Sequence, residues 1–475
     1  MGIPGLTRWL EGHDCTRVVK RCDGEVHHLC IDINGVCHAS LDDTCTTPQK
    51  AINSIVSAVL NIIAVFTPSQ SLAVMFDGPA PIAKLEEQRK RRRTAPNPPK
   101  NSTFSSNMMT TGSLFMLELE RALIRAIRSE FHSRSLAIGF QLSGTTVPGE
   151  GETKIAKYFS ELAASKGYAP DQRIAVVTTD SDLALCAMGC TAFDDFLLVN
   201  PYNFVTTFLK ELLRHWTLGG SARWSFSASQ LPSARRDFVL IMSFSGGDHY
   251  PGVGTDVFDF WNRYRKIRHT NHKAPCIVQP DLSITTETLK DSILGRTEEN
   301  QDRHRGKSSR GNKGKASAGP GNELLRCALW NTRMLLSGNC PDYALLFRGD
   351  APKPANLRAA MKQLVQHGTN FVLVPGTCPS LPLEVFVILC TERKWLPSPL
   401  QLVMEEKTNL VQRLHRTSSP KTMCEIASEL VGSVQGDQWE NENERSLLRF
   451  GDVVFFAPET PSTDEPAENP TCGVA

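Results

Sequence analysis

The sequence has little net charge of either sign. Its 475 residues include 52 Lys and Arg against 50 Asp and Glu, which leaves a formal net charge of +2. Any role in nucleic-acid binding must therefore depend on local clusters of Lys and Arg rather than on overall charge. Apolar residues make up 40% of the chain, which is enough for a sizeable core spread over two or three domains.

Long apolar runs are also scarce. The N-terminal stretch MGIPGLTRWLEGHDC has no apolar run of signal-peptide length behind a basic start. The most apolar window, 51–66, is short for a membrane span, which needs about 20 apolar residues. Its apolar positions recur at the spacing of a packed helix, so we predict a helix over 50–66. These features predict an intracellular protein, nuclear or cytoplasmic, that does not enter a membrane.

Paired cysteines at zinc spacing are missing, although the chain has fourteen cysteines. Neither the segment CAMGC nor the scattered cysteines near the N-terminus form C-x-x-C pairs with distant partners; these residues are Cys186, Cys190, Cys15, Cys22, Cys30, Cys37 and Cys45. In an intracellular protein we expect them to be reduced thiols rather than zinc ligands or disulfides.

Apolar runs typical of strands alternate with helical patterns from residue 26 to about 265. The strand-like runs are 27–33, 71–76, 173–179 and 237–244, and further helices are predicted over 115–131 and 153–167. This alternation predicts an α/β fold, a mostly parallel β-sheet flanked by helices. The sites of such sheets lie at the carboxyl ends of the strands.

Composition divides the chain into four segments. We predict a first domain over 1–266, a flexible basic linker or insert over 267–322, and a smaller, mostly helical region over 323–405. A C-terminal segment, 406–475, follows. From about 435 it becomes acidic and rich in Pro and Thr, and we expect it to end as a disordered tail that could bind a protein partner.

An acidic residue lies at the end of the first strand-like run, and acidic residues follow the other three. A single Asp there would most simply be a turn residue or a helix N-cap. Several carboxylates at one edge of a sheet, however, repel one another unless a cation lies among them. The segment VPGEGETK adds two glutamates where a helix begins, so the set is Asp32, Asp77, Glu150, Glu152, Asp180, Asp182 and Asp248.

These seven acids have the chemistry of a magnesium site. Carboxylates without His or Cys partners suit Mg²⁺ or Mn²⁺ rather than zinc. Seven are too many for one octahedral ion and suit two ions about 4 Å apart, a pair that can activate water and stabilise the leaving oxygen in phosphodiester cleavage. The sequence therefore predicts a two-metal nuclease.

The most basic stretch, KLEEQRKRRR at 84–93, could be a solvated charge run, a nuclear address or an anion pocket. In a helix, one face would carry Lys84, Gln88, Arg91 and Arg92. The other cations, Arg89, Lys90 and Arg93, fall largely elsewhere, and we expect them to be solvated. A nuclear address would be indifferent to that face and to its glutamine. Convergent donors that include two arginines favour a phosphate pocket.

With these residues in place, the sequence resembles the eukaryotic 5′-to-3′ exoribonucleases, the XRN family. IDINGVCH is similar to the family's D-x-N-G-x-x-H, FDGPAPIAKLEEQRKRR to its F-D-G-x-A-P-x-x-K-x-x-x-Q-R-x-R-R, and VPGEGETKI to its P-G-E-G-E-x-K-I. TTDSDL is similar to its D-x-D-L and TTGSLFM to its T-P-G-T-x-F-M. The resemblance covers residues 1 to about 265.

The resemblance implies a PIN/flap-nuclease-like core in which the seven acids hold two Mg²⁺ or Mn²⁺ ions. It also implies that Lys84, Gln88, Arg91 and Arg92 bind a 5′-phosphate and that His38 stacks on the first base. The expected substrate is single-stranded RNA with a 5′-monophosphate, degraded by a monomer to nucleoside 5′-monophosphates.

Two departures from the family keep other interpretations open. Beyond the linker, the sequence matches the family's second conserved region only weakly, with Asp342 and Tyr343 where a Ser-Trp pair is usual. In addition, GGDHYPGVG replaces a pattern nearer G-N-D-F-x-P. The absence of aromatic residues that stack on bases would lower the affinity for RNA, since base stacking contributes about 1–3 kcal/mol per base. The alternatives are a structure-specific flap or repair endonuclease and a catalytically inactive RNA-binding scaffold.

Overall fold

The computed structural model describes residues 2–19, 24–94, 102–218, 224–295, 317–367, 376–439 and 441–456. All twelve cysteines in this part of the chain are free thiols, as expected for a reduced protein. Cys22, most of the basic segment of the predicted linker (296–316) and the acidic end of the tail (457–475) lie outside the described residues.

An eight-stranded sheet forms the centre of the fold. In space the strands follow the order β1-β7-β6-β5-β2-β3-β4-β8. The five central strands, β6 to β4, pair in parallel, whereas β1, β7 and β8 pair antiparallel at the two edges. This confirms the mostly parallel sheet. The strands are β1 Thr16–Val18, β2 His28–Asp32, β3 Ser71–Met75, β4 Gly139–Ser143, β5 Arg173–Val177, β6 Asp195–Val199, β7 Val205–Phe208 and β8 Val454–Phe456.

Eighteen α-helices lie in the described part of the chain. They are α1 Leu6–Glu11, α2 Ile33–Ser40, α3 Pro48–Phe66, α4 Ile82–Thr94, α5 Leu114–Ser133, α6 Gly151–Ala164, α7 Asp182–Gly189, α8 Leu209–Leu218, α9 Leu231–Ser243, α10 Val257–Thr270, α11 Thr286–Leu294, α12 Gly319–Ser337, α13 Pro354–His367, α14 Pro382–Leu389, α15 Ser398–Glu406, α16 Thr408–Arg416, α17 Pro420–Gly432 and α18 Glu442–Ser446. The helices predicted over 50–66, 115–131 and 153–167 correspond to α3, α5 and α6.

Both faces of the sheet are covered by helices. Successive side chains of a strand point to opposite faces, and β2 shows this clearly. Leu29 and Ile31 belong to a core with α2, α3 and α5, whereas Cys30 belongs to a second core with α6, α7, α9 and α12. Burial on both sides explains why the central strands are continuous apolar runs.

Helix α3 is a core helix. By length and composition it is apolar enough to cross a membrane, and it is the single described helix for which this holds. Seven of its residues are nevertheless buried in the core between α2, α5 and the sheet, namely Ala51, Ile52, Ile55, Val59, Ile62, Ile63 and Phe66. Its polar residues, such as Asn53 and Asn61, face outward.

The run at 237–244 was predicted as a strand, and this prediction is wrong. It forms the second half of α9, where Phe238 to Met242 are all buried. The helix packs between α7, α10 and α12, so its second half, Phe238 to Met242, is apolar on every side. A short run of continuous apolar residues does not distinguish a buried strand from a fully buried helix. Asp248 therefore reaches the sheet edge from a loop after a helix.

A third core lies in the C-terminal region and confirms that this region is mostly helical. Helices α14 to α18 pack around Phe386 and Leu430, and they enclose Leu85 of α4 and Leu117 of α5. Helix α11 lies within the predicted linker 267–322, and strand β8 of the C-terminal segment completes the sheet against β4.

Shortening a core side chain of α3 should destabilise the whole domain. Because Ile55 is fully buried, Ile55→Ala should lower the free energy of unfolding by about 2–5 kcal/mol, measured by urea denaturation. Asn61→Ala, at an exposed position of the same helix, is the matched control and should change it by less than about 0.5 kcal/mol. Equal small effects would show that α3 is not part of the core.

Candidate active site

Three neighbouring parallel strands bring acids to one edge of the sheet. Asp32 is the last residue of β2, Asp77 lies two residues beyond β3, and Asp180 lies three residues beyond β5. Strands β5, β2 and β3 are adjacent and parallel, so their carboxyl ends meet. Asp182 follows as the first residue of α7. The strand-end prediction is confirmed for these acids.

The remaining acids come from helix α6 and from the loop after α9. Glu150 is the N-cap of α6, and Glu152 lies in its first turn. Gly149, just before them, has a φ of 103°, a value that residues with a Cβ rarely adopt. The glycine therefore allows the chain to turn into the helix. All seven predicted acids meet at the same place, although Asp248 arrives by a different route than predicted.

A cavity of about 360 Å³ opens among these residues. It is lined by five of the predicted acids, by the predicted face of α4 and by His38, that is, by Asp32, Asp77, Glu152, Asp180, Asp248, Lys84, Gln88, Arg91, Arg92 and His38. Glu150 and Asp182 lie behind this lining. The helical spacing of 84–93 thus identified one face correctly, and that face points into the acid cluster.

Lys84 connects the basic helix to the acids. Its buried ammonium forms an ion pair with Glu150 and lies 3.8 Å from a carboxylate oxygen of Glu152 and 3.8 Å from one of Asp248. Burial by itself would lower the pKa of Lys84, but the attraction of these carboxylates outweighs burial and raises the pKa well above its usual value. Lys84 is therefore a permanent cation inside the cluster.

Neighbouring donors fix the carboxylates of the strand ends. The side-chain amide of Asn34 donates to Asp77 at 2.8 Å, and the backbone N–H of Gly151 donates to the other Asp77 oxygen at 2.7 Å. Thr178 donates to Asp32 at 2.9 Å. These bonds explain the asparagine of the D-x-N-G motif: it orients the acid of the next strand.

Several of the crowded acids have too little positive charge nearby to stabilise their ionised form. Burial and the nearby Asp77 raise the pKa of Asp32 to about 7. Burial also raises the pKa of Glu152, with Glu150 adding to it, and that of Asp182, with Asp180 adding to it. Raised carboxyl pKa values mean that the ionised cluster lacks compensating cations, which is the electrostatic condition for binding a divalent ion.

The donor set fits such an ion. Oxygens of Glu152, Asp180 and Asp182 lie within 4.8 Å of one another. Gly151 leaves space beside the strand-end acids, because a Cβ there would lie 2.9 Å from Asp32 Oδ1 and 3.4 Å from Asp77 Oδ1. Carboxylates alone, without thiolates, suit Mg²⁺ or Mn²⁺.

His249 is a member of the site that the sequence analysis missed. Its Nε2 lies 3.0 Å from Glu150 Oε2, and its ring meets the edge of Trp330 at 5.2 Å. Burial would raise the pKa of Glu150, but Lys84 and His249 lower it to about 2. Glu150 is thus held between two basic groups, behind the cavity. Its position next to Asp248 was the available signal.

The predicted solvation of Arg89 is wrong. Its guanidinium is buried and donates to the carbonyls of Leu414 and, at 3.1 Å, of Thr417. Lys90 is exposed, as expected, and Arg93 is exposed while donating to the carbonyl of His415 at 3.0 Å. One face of α4 lines the cavity and the opposite face docks on α16, a contact that helical spacing could not reveal.

The ring that replaces the family's usual tryptophan does not line the cavity. Tyr343 accepts a backbone hydrogen bond from Ile82 through its carbonyl and lines a separate cavity of about 620 Å³ beside Lys154 and Cys340. Among the residues that line the acid cavity, His38 has the single aromatic ring.

Fold and site together define an α/β domain with a cluster of acids at one edge of its sheet, and the sequence comparisons indicate the family that it resembles. Residues 1–101 and 93–199 match the family model described as XRN 5'-3' exonuclease N-terminus. The chain is 29% identical over 302 residues to 5'-3' exoribonuclease 1 of Schizosaccharomyces pombe, covering 53% of this chain and 22% of that protein. With 5'-3' exoribonuclease 1 of Saccharomyces cerevisiae it is 28% identical over 216 residues, 40% of this chain and 14% of that one.

Over residues 1–199 the chain is therefore similar to the XRN 5′-3′ exonuclease N-terminus, as its motifs predicted. It spans less than a quarter of the length of these two relatives. Among solved structures, it is similar to T5 D15 protein co-crystallised with metal ions (13% identity, TM-score 0.35, 72% of this chain and 98% of that one) and to the catalytic core of Rad2 in complex with DNA substrate (13%, 0.34, 88% and 100%).

Filling the space at Gly151 should weaken metal binding without unfolding the protein. Gly151→Ala places a methyl group against Asp32 and Asp77, while Ala itself favours the helix. We expect Mn²⁺ affinity, measured by calorimetry, to fall about tenfold or more. Gly167→Ala, where nothing lies within 4 Å, should leave it unchanged. Unaltered Mn²⁺ affinity in Gly151→Ala would mean that the ion does not bind at these acids.

Proposed function

We propose that the protein is a metal-dependent 5′-to-3′ exoribonuclease that degrades 5′-monophosphorylated RNA to nucleoside 5′-monophosphates. One observation carries the proposal: the acid cluster and the donors of α4 line the same cavity of about 360 Å³. A cavity of this size has room for one nucleotide, so a 5′-phosphate gripped by α4 leaves the following phosphodiester beside the acids.

The proposed roles follow from position in the cavity. Arg92 has its guanidinium fixed by Thr110, 3.0 Å from Nε, and the other guanidinium nitrogens can bind phosphate oxygens. Gln88 adds a neutral donor. Arg91 pairs with Asp248 at 2.8 Å and can swing to a phosphate without leaving a buried charge unpaired, because Lys84 remains beside Asp248. His38, on the cavity wall, is placed to stack on the first base.

Two divalent ions, Mg²⁺ or Mn²⁺, would supply an activated water and stabilise the leaving oxygen. Six of the acids are proposed to hold them, namely Asp32, Asp77, Glu152, Asp180, Asp182 and Asp248. We assign Glu150 a different role, because its two oxygens face Lys84 and His249. Glu150 would hold Lys84 at the boundary between the metal site and the phosphate clamp.

Each of the two alternatives would need only part of this site. A flap or repair-type endonuclease needs the acids but not a pocket for a 5′-monophosphate. A catalytically inactive RNA-binding scaffold has no use for seven crowded carboxylates, which repel RNA phosphates in the absence of metal. Retention of both the acids and the donor face favours the exonuclease. We further propose that the enzyme acts as a monomer on single-stranded RNA inside the cell, with the acidic tail as a possible contact for a protein partner.

Loss of a proposed metal ligand should separate cleavage from binding. Asp180→Ala should lower the rate of RNA degradation by at least about a thousandfold, because metal positioning fails, while binding of 5′-monophosphorylated RNA persists. Cleavage is measured with labelled RNA in Mg²⁺ and binding by fluorescence anisotropy. Asp171→Ala, an exposed acid outside the cavity, should cleave normally. Full activity of Asp180→Ala would remove Asp180 from the metal site.

Loss of a proposed phosphate donor should change the preference for the 5′ end. In the wild-type protein we expect RNA with a 5′-monophosphate to be degraded faster than RNA with a 5′-hydroxyl. Arg92→Gln should reduce that ratio about tenfold or more, since a charge-assisted contact is lost. Arg121→Gln, an exposed arginine of α5, should keep the ratio. An intact ratio in Arg92→Gln would contradict the clamp.

A further inference from the structure

A basic surface lies where the end of α4 meets the end of α16. Lys90 and Arg93 are three residues apart on α4, and Arg413 and Arg416 are three residues apart on α16. Residues three apart lie side by side on a helix surface. All four side chains are exposed, and we call them the distal patch.

Hydrogen bonds join the two helices at this point. The buried Arg89 donates to the carbonyls of Leu414 and Thr417, and Arg93 donates to that of His415. These carbonyls belong to the last turn of α16 and the residue after it, where helical partners are missing. Two arginines of α4 therefore fix the end of α16, and with it Arg413 and Arg416, beside the phosphate-binding helix.

Positive charge in the distal patch is not balanced locally. Within the described ranges, none of its four residues has a carboxylate oxygen within 4.0 Å. The crowding is visible in the neighbouring groups. Burial and Arg93 lower the pKa of Arg89 to about 10, and partial burial together with Arg89 and Arg93 lowers the pKa of His415. An anion at this surface would relieve that repulsion.

The distal patch shares helix α4 with the proposed clamp. Arg92 lines the cavity, and the next residue, Arg93, belongs to the distal patch on the side of α4 that faces α16. A strand whose 5′-phosphate lies at Arg92 therefore has these cations within reach when it passes around the end of α4. Cations without base-reading partners bind the backbone and ignore sequence.

We propose that the distal patch binds the phosphates of single-stranded RNA downstream of the 5′ end, so that α16 extends the substrate site from the cavity onto the C-terminal helices. The inference rests on the proposed function, because it uses the 5′-phosphate position at Arg92. It assigns these helices a part in holding the substrate in addition to their packing on α4.

The test compares short and long RNA in the Asp180→Ala protein, which is expected to bind RNA without cleaving it. The variant is Arg413→Gln/Arg416→Gln, since neither side chain donates a hydrogen bond to a described residue and the contacts of Arg89 and Arg93 remain. Arg121→Gln/Arg125→Gln, two exposed arginines of α5, is the matched control for the loss of two charges. Binding of 5′-monophosphorylated RNAs of about 4 and about 20 nucleotides is measured over a series of salt concentrations.

For the long RNA, the variant should bind roughly tenfold more weakly at low salt, and the slope of log affinity against log salt should fall by about 1.4, the value for two lost phosphate contacts. The short RNA and the control variant should show neither change. An unchanged slope with the long RNA would overturn the proposal and leave the patch as a helix cap. Equal weakening of short and long RNA would also overturn it, because the effect would then arise inside the cavity.

The same binding measurement, repeated with 5′-hydroxyl RNAs, separates this proposal from the proposed function. If the parent protein binds 5′-monophosphate and 5′-hydroxyl RNA equally, the clamp and with it the exonuclease proposal fail. If the 5′-phosphate preference is present but the long RNA is insensitive to the Arg413 and Arg416 substitutions, the distal patch alone fails.

Discussion

The ammonium group of Lys84 is the interaction on which the site depends. It lies buried among Glu150, Glu152 and Asp248 and is the point at which the basic helix α4 meets the acid cluster. A lysine can remain charged at such depth because carboxylates surround it. The same contact sets the distance between the phosphate-binding face and the proposed metal ligands, which is the distance that decides where a bound strand would be cut.

The C-terminal helices fix the position of Lys84 by packing against the other face of α4. Leu85 is buried in the core of helices α14 to α18, and Arg89 donates to the end of α16. Helix α4 is thus anchored on one face by apolar packing and backbone carbonyls and presents its other face to the acids. This explains how a segment with six cations in ten residues can adopt one defined orientation instead of being a solvated helix.

Much of the site follows from the sequence because local rules apply to it. Parallel strands place Asp32, Asp77 and Asp180 at one edge, and a helical repeat of 3.6 residues places Lys84, Gln88 and Arg92 on one face. These statements need only the strand or helix in which a residue lies. Motif spacing then predicted the resemblance to the XRN family, and the match of residues 1–199 to that family's model supports it.

Other parts could not be predicted because they depend on contacts between distant segments. The apolar run at 237–244 is a helix rather than a strand because three helices surround it. Arg89 is buried because α16, more than three hundred residues later, offers carbonyls to it. Glu150 pairs with His249 across about a hundred residues of sequence, so this contact could not be inferred from the motif VPGEGETK.

The central claim is that one cavity couples recognition of a 5′-monophosphate to hydrolysis of the next phosphodiester. It is tested most directly by incubating the protein and Mg²⁺ with one RNA sequence bearing a 5′-monophosphate, a 5′-hydroxyl or a cap, and identifying the products by chromatography over time. The account predicts selective loss of the 5′-monophosphorylated RNA, with nucleoside 5′-monophosphates as the products from the first time point. Equal degradation of all three RNAs, internal fragments as first products, or no degradation of any would contradict it.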